Sequence, residues 1–247
     1  MYENISTCAK RYLPTIDLHM KREVVVEICT DHWEDTIEAI RMGADRIELC
    51  SDLAKDGLTP STDLFARVLV IANRLGVTIF PMIRCRHGDF VYTDSEKVTM
   101  IQDAKKFVNM GAHGIVIGAL NPNGTIDLSF VKEIASVARS INPTIQITFH
   151  KAIDVANIPE AKSFSDILDD LEPYCDRLLT SGQSQTALGG AALIREAVAR
   201  NRRPYVLAAG KIRQENVQGV VDILHVTEVH SRSPLIAAAL GKLPRNI

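Results

Sequence analysis

Residues 23–61 read as strand, helix, strand and loop, and both strands carry the same unusual pattern. In the first, Val24, Val26 and Ile28 alternate with Val25, Glu27 and Cys29, the two-residue period of a strand. In the second, Ile47 and Leu49 share one face while Arg46, Glu48 and Cys50 share the other. A helix over about 33–42 joins them, with Gly43 placed to end it. A crossover of that length suits parallel strands. A parallel strand covered on both faces is apolar at nearly every residue. Each strand here instead sets a glutamate and a cysteine two apart, opposite its aliphatic residues. Helices must cover the aliphatic face, so Glu27, Cys29, Glu48 and Cys50 share the other side. They lie near the strands' C-terminal ends, where α/β folds build their sites.

The alternation recurs along the chain. Further strands are expected over 77–84, 114–120, 145–150, 177–180, 205–209 and 227–231. Helices are expected between them. One begins with Thr59 as its cap and Pro60 at its first position, and runs to about Leu75. Others take 95–110 and 128–140, one lies within 158–171 with Pro159 near its start, and two more take 190–200 and 213–221. No Gly/Ser/Pro-rich linker divides the series, and no G-x-G-x-x-G opens a helix, which excludes a dinucleotide-binding fold. The expectation is an α/β chain with a single-domain (β/α)8 TIM barrel over 23–247. Residues 1–22 stand apart as an N-terminal extension, expected to be poorly ordered.

Composition narrows the partners. A net charge of −2 with no basic stripe argues against nucleic acid and acidic membrane surfaces, and no apolar run is long enough for a membrane span. The five cysteines (Cys8, Cys29, Cys50, Cys85 and Cys175) are odd in number and scattered, and no segment has the order of a secretory signal. A cytoplasmic location with free thiols is expected.

Strand parity places Glu27, Cys29, Glu48, Cys50, Arg84, Thr148, His150, Glu228 and His230 inside the barrel near its top. Buried unpaired, these charges would each cost several kcal/mol, so they must pair with one another or with a ligand. An internal ion pair such as Glu48 with Arg84 is the purely structural alternative. Ser181, Gly182, Gly210 and Ser231 follow strands six to eight, where barrels commonly bind phosphate, and form a candidate anion site. Cys29 and Cys50, on neighbouring strands, offer two soft thiolates of the kind that suits Cu(I) or zinc. From spacing alone, small buried core cysteines come first.

At these residues the chain resembles the CutC copper homeostasis family. EVVVEICTD and GADRIELCSDLAKDGLTPS carry the likeness, followed by PMIRCRHGDFVYTD, ITFHKAID, RLLTSGQ and EVHSRS, from residue 23 to about 234. The resemblance implies a TIM barrel, a cytosolic location, self-association into a homo-oligomer, and Cu(I) held by the cysteines at positions 29 and 50. Three departures stand out: Ala208-Ala209-Gly210 where a glycine-rich turn is expected, Cys85 and His87 in the loop after strand three, and a C-terminal part that is short for the family.

Two functions of different class follow. The first is copper handling, with copper as the partner and Cys29 and Cys50 as ligands. The second is an enzyme on a small metabolite, phosphorylated or not. There Glu27 or Glu48 serves as acid/base, Arg84 clamps an anion, His150 transfers or polarises, and Lys151 and Asp154 assist.

Overall fold

In the computed structural model, which describes residues 24–247, eight parallel strands close a barrel. They are β1 (Val25–Thr30), β2 (Arg46–Leu49), β3 (Thr78–Pro81), β4 (Gly114–Ile117), β5 (Gln146–Phe149), β6 (Arg177–Thr180), β7 (Tyr205–Ala208) and β8 (Glu228–Ser231). Strand order is β3-β2-β1-β8-β7-β6-β5-β4, and a parallel bridge between Met82 and Val116 joins the two edges. The helices are α1 (Trp33–Arg41), α2 (Thr62–Leu75), α3 (Asp94–Asn109), α4 (Leu128–Ile141), α5 (Phe164–Leu171), α6 (Ala191–Ala199), α7 (Val217–Leu224) and α8 (Leu235–Ala239). This is the (β/α)8 barrel that the sequence pattern predicts. The extension expected over residues 1–22 lies outside the described residues.

Local chemistry sets the helix starts, and three differ from expectation. Ser61, not Thr59, caps α2, its hydroxyl accepting from the Leu64 N–H. Thr59 is committed elsewhere, trading hydrogen bonds with the Arg84 backbone and so tying this loop to the end of β3. Pro159 lies outside α5, which begins only after Ser163 and Asp166 form a reciprocal capping box. The helix expected over 213–221 starts later, because Asn216 first accepts from the Arg213 N–H and closes a turn.

The aliphatic strand residues Ile28, Ile47, Ile79, Ile115, Ile147 and Val229 are fully buried in one core with the helices' apolar faces. Each contributes about 1.5–3 kcal/mol by burial. Inside the barrel the apolar fill is sparse. Cys29, Cys50, Phe80, Met82 and Val116 form one small cluster, and Leu179, Leu207 and Ala209 another. Charged side chains take the remaining interior.

Candidate functional site

The lowest interior layer is a chain of charges. Parallel register sets Arg46 opposite Glu27 on β1. Its guanidinium donates to Glu27 and to Glu228 Oε2 (2.6 Å), and Arg177 donates to the same Glu228 oxygen at 2.7 Å. Arg46 and Arg177 flank the Phe80 ring, at 5.2 and 5.7 Å from its centroid. Burial alone would raise Glu27, but the Arg46 charge and the His230 hydrogen bond outweigh it and hold the carboxyl at about 2. The partner sketched for Glu48 was Arg84, and the structure does not make that pair. The buried ion pairs belong to Arg46 and Arg177, which the reading of strand parity did not bring into the site. Arg46 shares its parity with Glu48 and Cys50, and that was the available signal.

Above this layer, register pairs Glu27 with His230 and Cys29 with Glu48. Glu27 Oε1 lies 2.7 Å from His230 Nδ1. Burial disfavours charge on this imidazole, yet the Glu48 charge, a hydrogen bond with Cys29 and the Glu27 contact hold its pKa well above 6.5. Cys29 Sγ and Cys50 Sγ are 3.7 Å apart, and Cys50 Sγ is 3.7 Å from Glu48 Oε1. The other Glu48 oxygen is buried without a hydrogen-bond partner among the described residues. One donor atom each of Cys29, Glu48 and Cys50 falls within 4.8 Å of the others, as does one each of Glu27, Glu48 and His230. The Cys50 hydrogen bond and burial push the Cys29 thiol well above its ordinary 9. Cys50 is also raised: the Cys29 hydrogen bond pulls it down, but burial and the Glu48 charge prevail. Burial, opposed by His230, raises Glu48.

A cavity of about 920 Å³ opens above the thiols at the strands' C-terminal ends. Cys29, Glu48, Arg84, His150 and His230 line it; Glu27, Cys50, Thr148 and Glu228 lie beneath. Neither Cys85 nor His87 reaches it. Burial and the Arg84 charge lower His150 to about 3, so its ring is neutral. Gly118 makes room for that ring: a Cβ there would stand 2.2 Å from His150 Cε1.

The candidate anion group is on the cavity wall, with Ser181, Gly210 and Ser231 all lining it, but the amides of Ser181 and Gly182 are engaged. The Asp154 carboxylate accepts from the N–H of Ser181 and of Gln183 and from the hydroxyls of Thr180 and Ser181. The Gly182 N–H goes to Thr180 Oγ1. Gly210, at φ +103°, packs so closely that a Cβ would meet Ser181 Cβ at 2.7 Å. The N–H groups of Ser181 and Gln183 are thus already hydrogen-bonded to Asp154 within the protein.

The CutC family model matches residues 24–234. The chain belongs to the CutC family. A CutC family protein of Citrobacter koseri is 35% identical over 207 residues, covering 84% of this chain and 79% of the relative. One from Histophilus somni is 36% identical over 206 residues, covering 83% and 80%. Among solved structures, a copper homeostasis protein CutC from Streptococcus agalactiae superposes with a TM-score of 0.78 at 26% identity, over 85% of this chain and 99% of that one. The match to the CutC family spans both thiol-bearing strands and every cavity residue named above.

Proposed function

We propose that this protein binds Cu(I) as cargo through Cys29 and Cys50 and handles it in the cytoplasm, as a homo-oligomer. The observation that carries the reading is the pair of buried thiols 3.7 Å apart beside Glu48, whose Oε1 meets Cys50 and whose Oε2 has no hydrogen-bond partner among the described residues. Thiolates are the soft donors that Cu(I) prefers, and two of them satisfy its low coordination number. Both thiols hold their protons in the free protein, so loading the ion must release protons. Cationic His230, next to Cys29, offsets the negative charge that the thiolates acquire. Among the described residues Cys29, Cys50, Cys85 and Cys175 are all free, which supports a reducing compartment. The name of the Streptococcus agalactiae neighbour points to copper as well.

The test is anaerobic titration of the reduced protein with Cu(I) against a competing chelator, beside the Cys29→Ser/Cys50→Ser variant. Tight binding of one ion that the variant loses is the expected result. Stoichiometric binding that survives both substitutions would return the cysteines to core packing.

A further inference from the structure

Copper handling leaves most of the 920 Å³ cavity, and one of its walls, without a role. Arg84 on that wall is 4% exposed. Its guanidinium donates only to the neutral carbonyls of Lys55, Asp56, Gly57 and Gly88, and it has no carboxylate partner among the described residues. Its positive charge is therefore buried without an anionic partner there, an expensive arrangement for a protein to keep. Its Nε–H, also buried, meets no acceptor in hydrogen-bond geometry among the described residues, although the Tyr92 hydroxyl lies near the guanidinium.

His150 stands on the same wall, 3% exposed. Its Nδ1 accepts from the Ala152 N–H at 3.1 Å, which puts the proton of the neutral ring on Nε2. That Nε2–H is a second buried donor with no acceptor among the described residues. Phe90 touches both groups, its ring centroid 4.8 Å from the Arg84 guanidinium carbon and 4.9 Å from the centre of the His150 ring. Lys211 and Arg213 line the cavity too, and neither pairs with a carboxylate among the described residues. Apolar surface from Leu53, Met82, Phe90 and Leu179 faces the same space. Two buried, unsatisfied donors, one of them on a guanidinium with no anionic partner among the described residues, ask for an oxyanion, and the volume and apolar lining ask for an organic body attached to it.

We infer that the cavity is a binding site for a small organic acid whose carboxylate or phosphate is held by Arg84 Nε and His150 Nε2. The donor pair is distinct from the thiol pair, although Cys29 lines the same cavity, and its role does not rest on copper binding. It also differs from the loop after β6, where Asp154 already occupies the amides.

The test uses the full, reduced chain labelled with ¹⁵N-histidine, titrated at constant ionic strength with inorganic phosphate and with acetate, the former standing for phosphorylated and the latter for carboxylate ligands. Calorimetry gives the affinity and the His150 resonance gives the place. A saturable shift of the His150 Nε2 resonance with at least one anion, and not with chloride, is expected. His150→Phe keeps the ring against Phe90 and Gly118 but removes the donor, and should weaken that anion by at least about tenfold. In Cys29→Ser/Cys50→Ser the anion should bind as in the parent protein, a result that stands whether or not copper binds. No shift from either anion, an equal shift with chloride, or equal affinity in His150→Phe overturns the inference. Loss of anion binding in the double serine variant overturns the separation of the two sites.

Discussion

Arg46→Met offers a sharp test of how the barrel interior is held together. The arginine is 3% exposed and joins Glu27 to Glu228. Methionine fills similar space without the charge. Glu228 keeps Arg177, so the loss falls chiefly on Glu27, which is fully buried and left with His230 alone. Removing one partner of a buried pair costs about 3–5 kcal/mol. The carboxyl gives a matching figure: holding Glu27 at about 2 rather than its ordinary 4.5 corresponds to about 3 kcal/mol at neutral pH. A chain of this size loses about 2–4 °C per kcal/mol, so Tm should fall by about 6–20 °C at pH 7. The sign with pH follows from the direction of the shift. In the parent protein the folded pKa lies below the unfolded one, so Glu27 stabilises fully above pH 4.5, and that contribution is lost as pH falls through about 2. Without the guanidinium, burial lifts the folded pKa above 4.5, and the variant loses stability as pH rises through 4.5. Thermal melts followed by circular dichroism should therefore show a gap between variant and parent that is wide at pH 7 and narrower at pH 4, where the parent still keeps most of its Glu27 contribution. Adding Glu27→Gln should recover most of it. A gap equal at both pH values and unrelieved by the second change would mean that packing, not charge, is what Arg46 supplies.

Two other outcomes follow from the same chemistry. Because both thiols must lose protons to hold the ion, Cu(I) affinity should climb with pH between 6 and 8, by up to about 100-fold per unit; a flat profile in competition titrations would show that no thiol proton leaves. Asp154→Ala should expose the amides of Ser181 and Gln183, costing about 2–3 kcal/mol and speeding their hydrogen exchange, and unchanged protection there would refute the role given to that carboxylate.

The strands were legible because an inward polar residue breaks an aliphatic strand at a fixed period, and 177–180 coincides with β6 residue for residue. Parity assigns a face but says nothing of depth. Glu27 and Glu48 look equivalent in sequence, yet one is sealed under His230 by Arg46 and the other lines the cavity. The same limit let Arg84 stand as a partner for Glu48: the guanidinium instead caps carbonyls of loops that the sequence cannot fold by pattern. Ser181 and Gly182 have the composition of an anion-binding turn, and the turn does bind one, supplied by Asp154 from 27 residues earlier in the chain. Helix starts failed where several cap-capable residues stand together, as at Thr59, Ser61 and Thr62, because tertiary contacts decided among them.

The interior now divides by chemistry. Buried ion networks are poor stabilisers compared with apolar packing, so the Arg46–Glu27–Glu228–Arg177 layer calls for a reason beyond stability. Its upper contact gives one. Glu27 grips His230 Nδ1 and so fixes the imidazole next to Cys29 and Glu48, placing a cation beside the two thiols. Arg84 and His150 take no part in that network, and Phe90 touches them both. A thiol pair at its floor and a hard donor pair on its wall thus meet at one cavity with independent supports. Perturbing Arg46 should therefore reach the thiols through His230 and leave the donors at Arg84 and His150 unmoved.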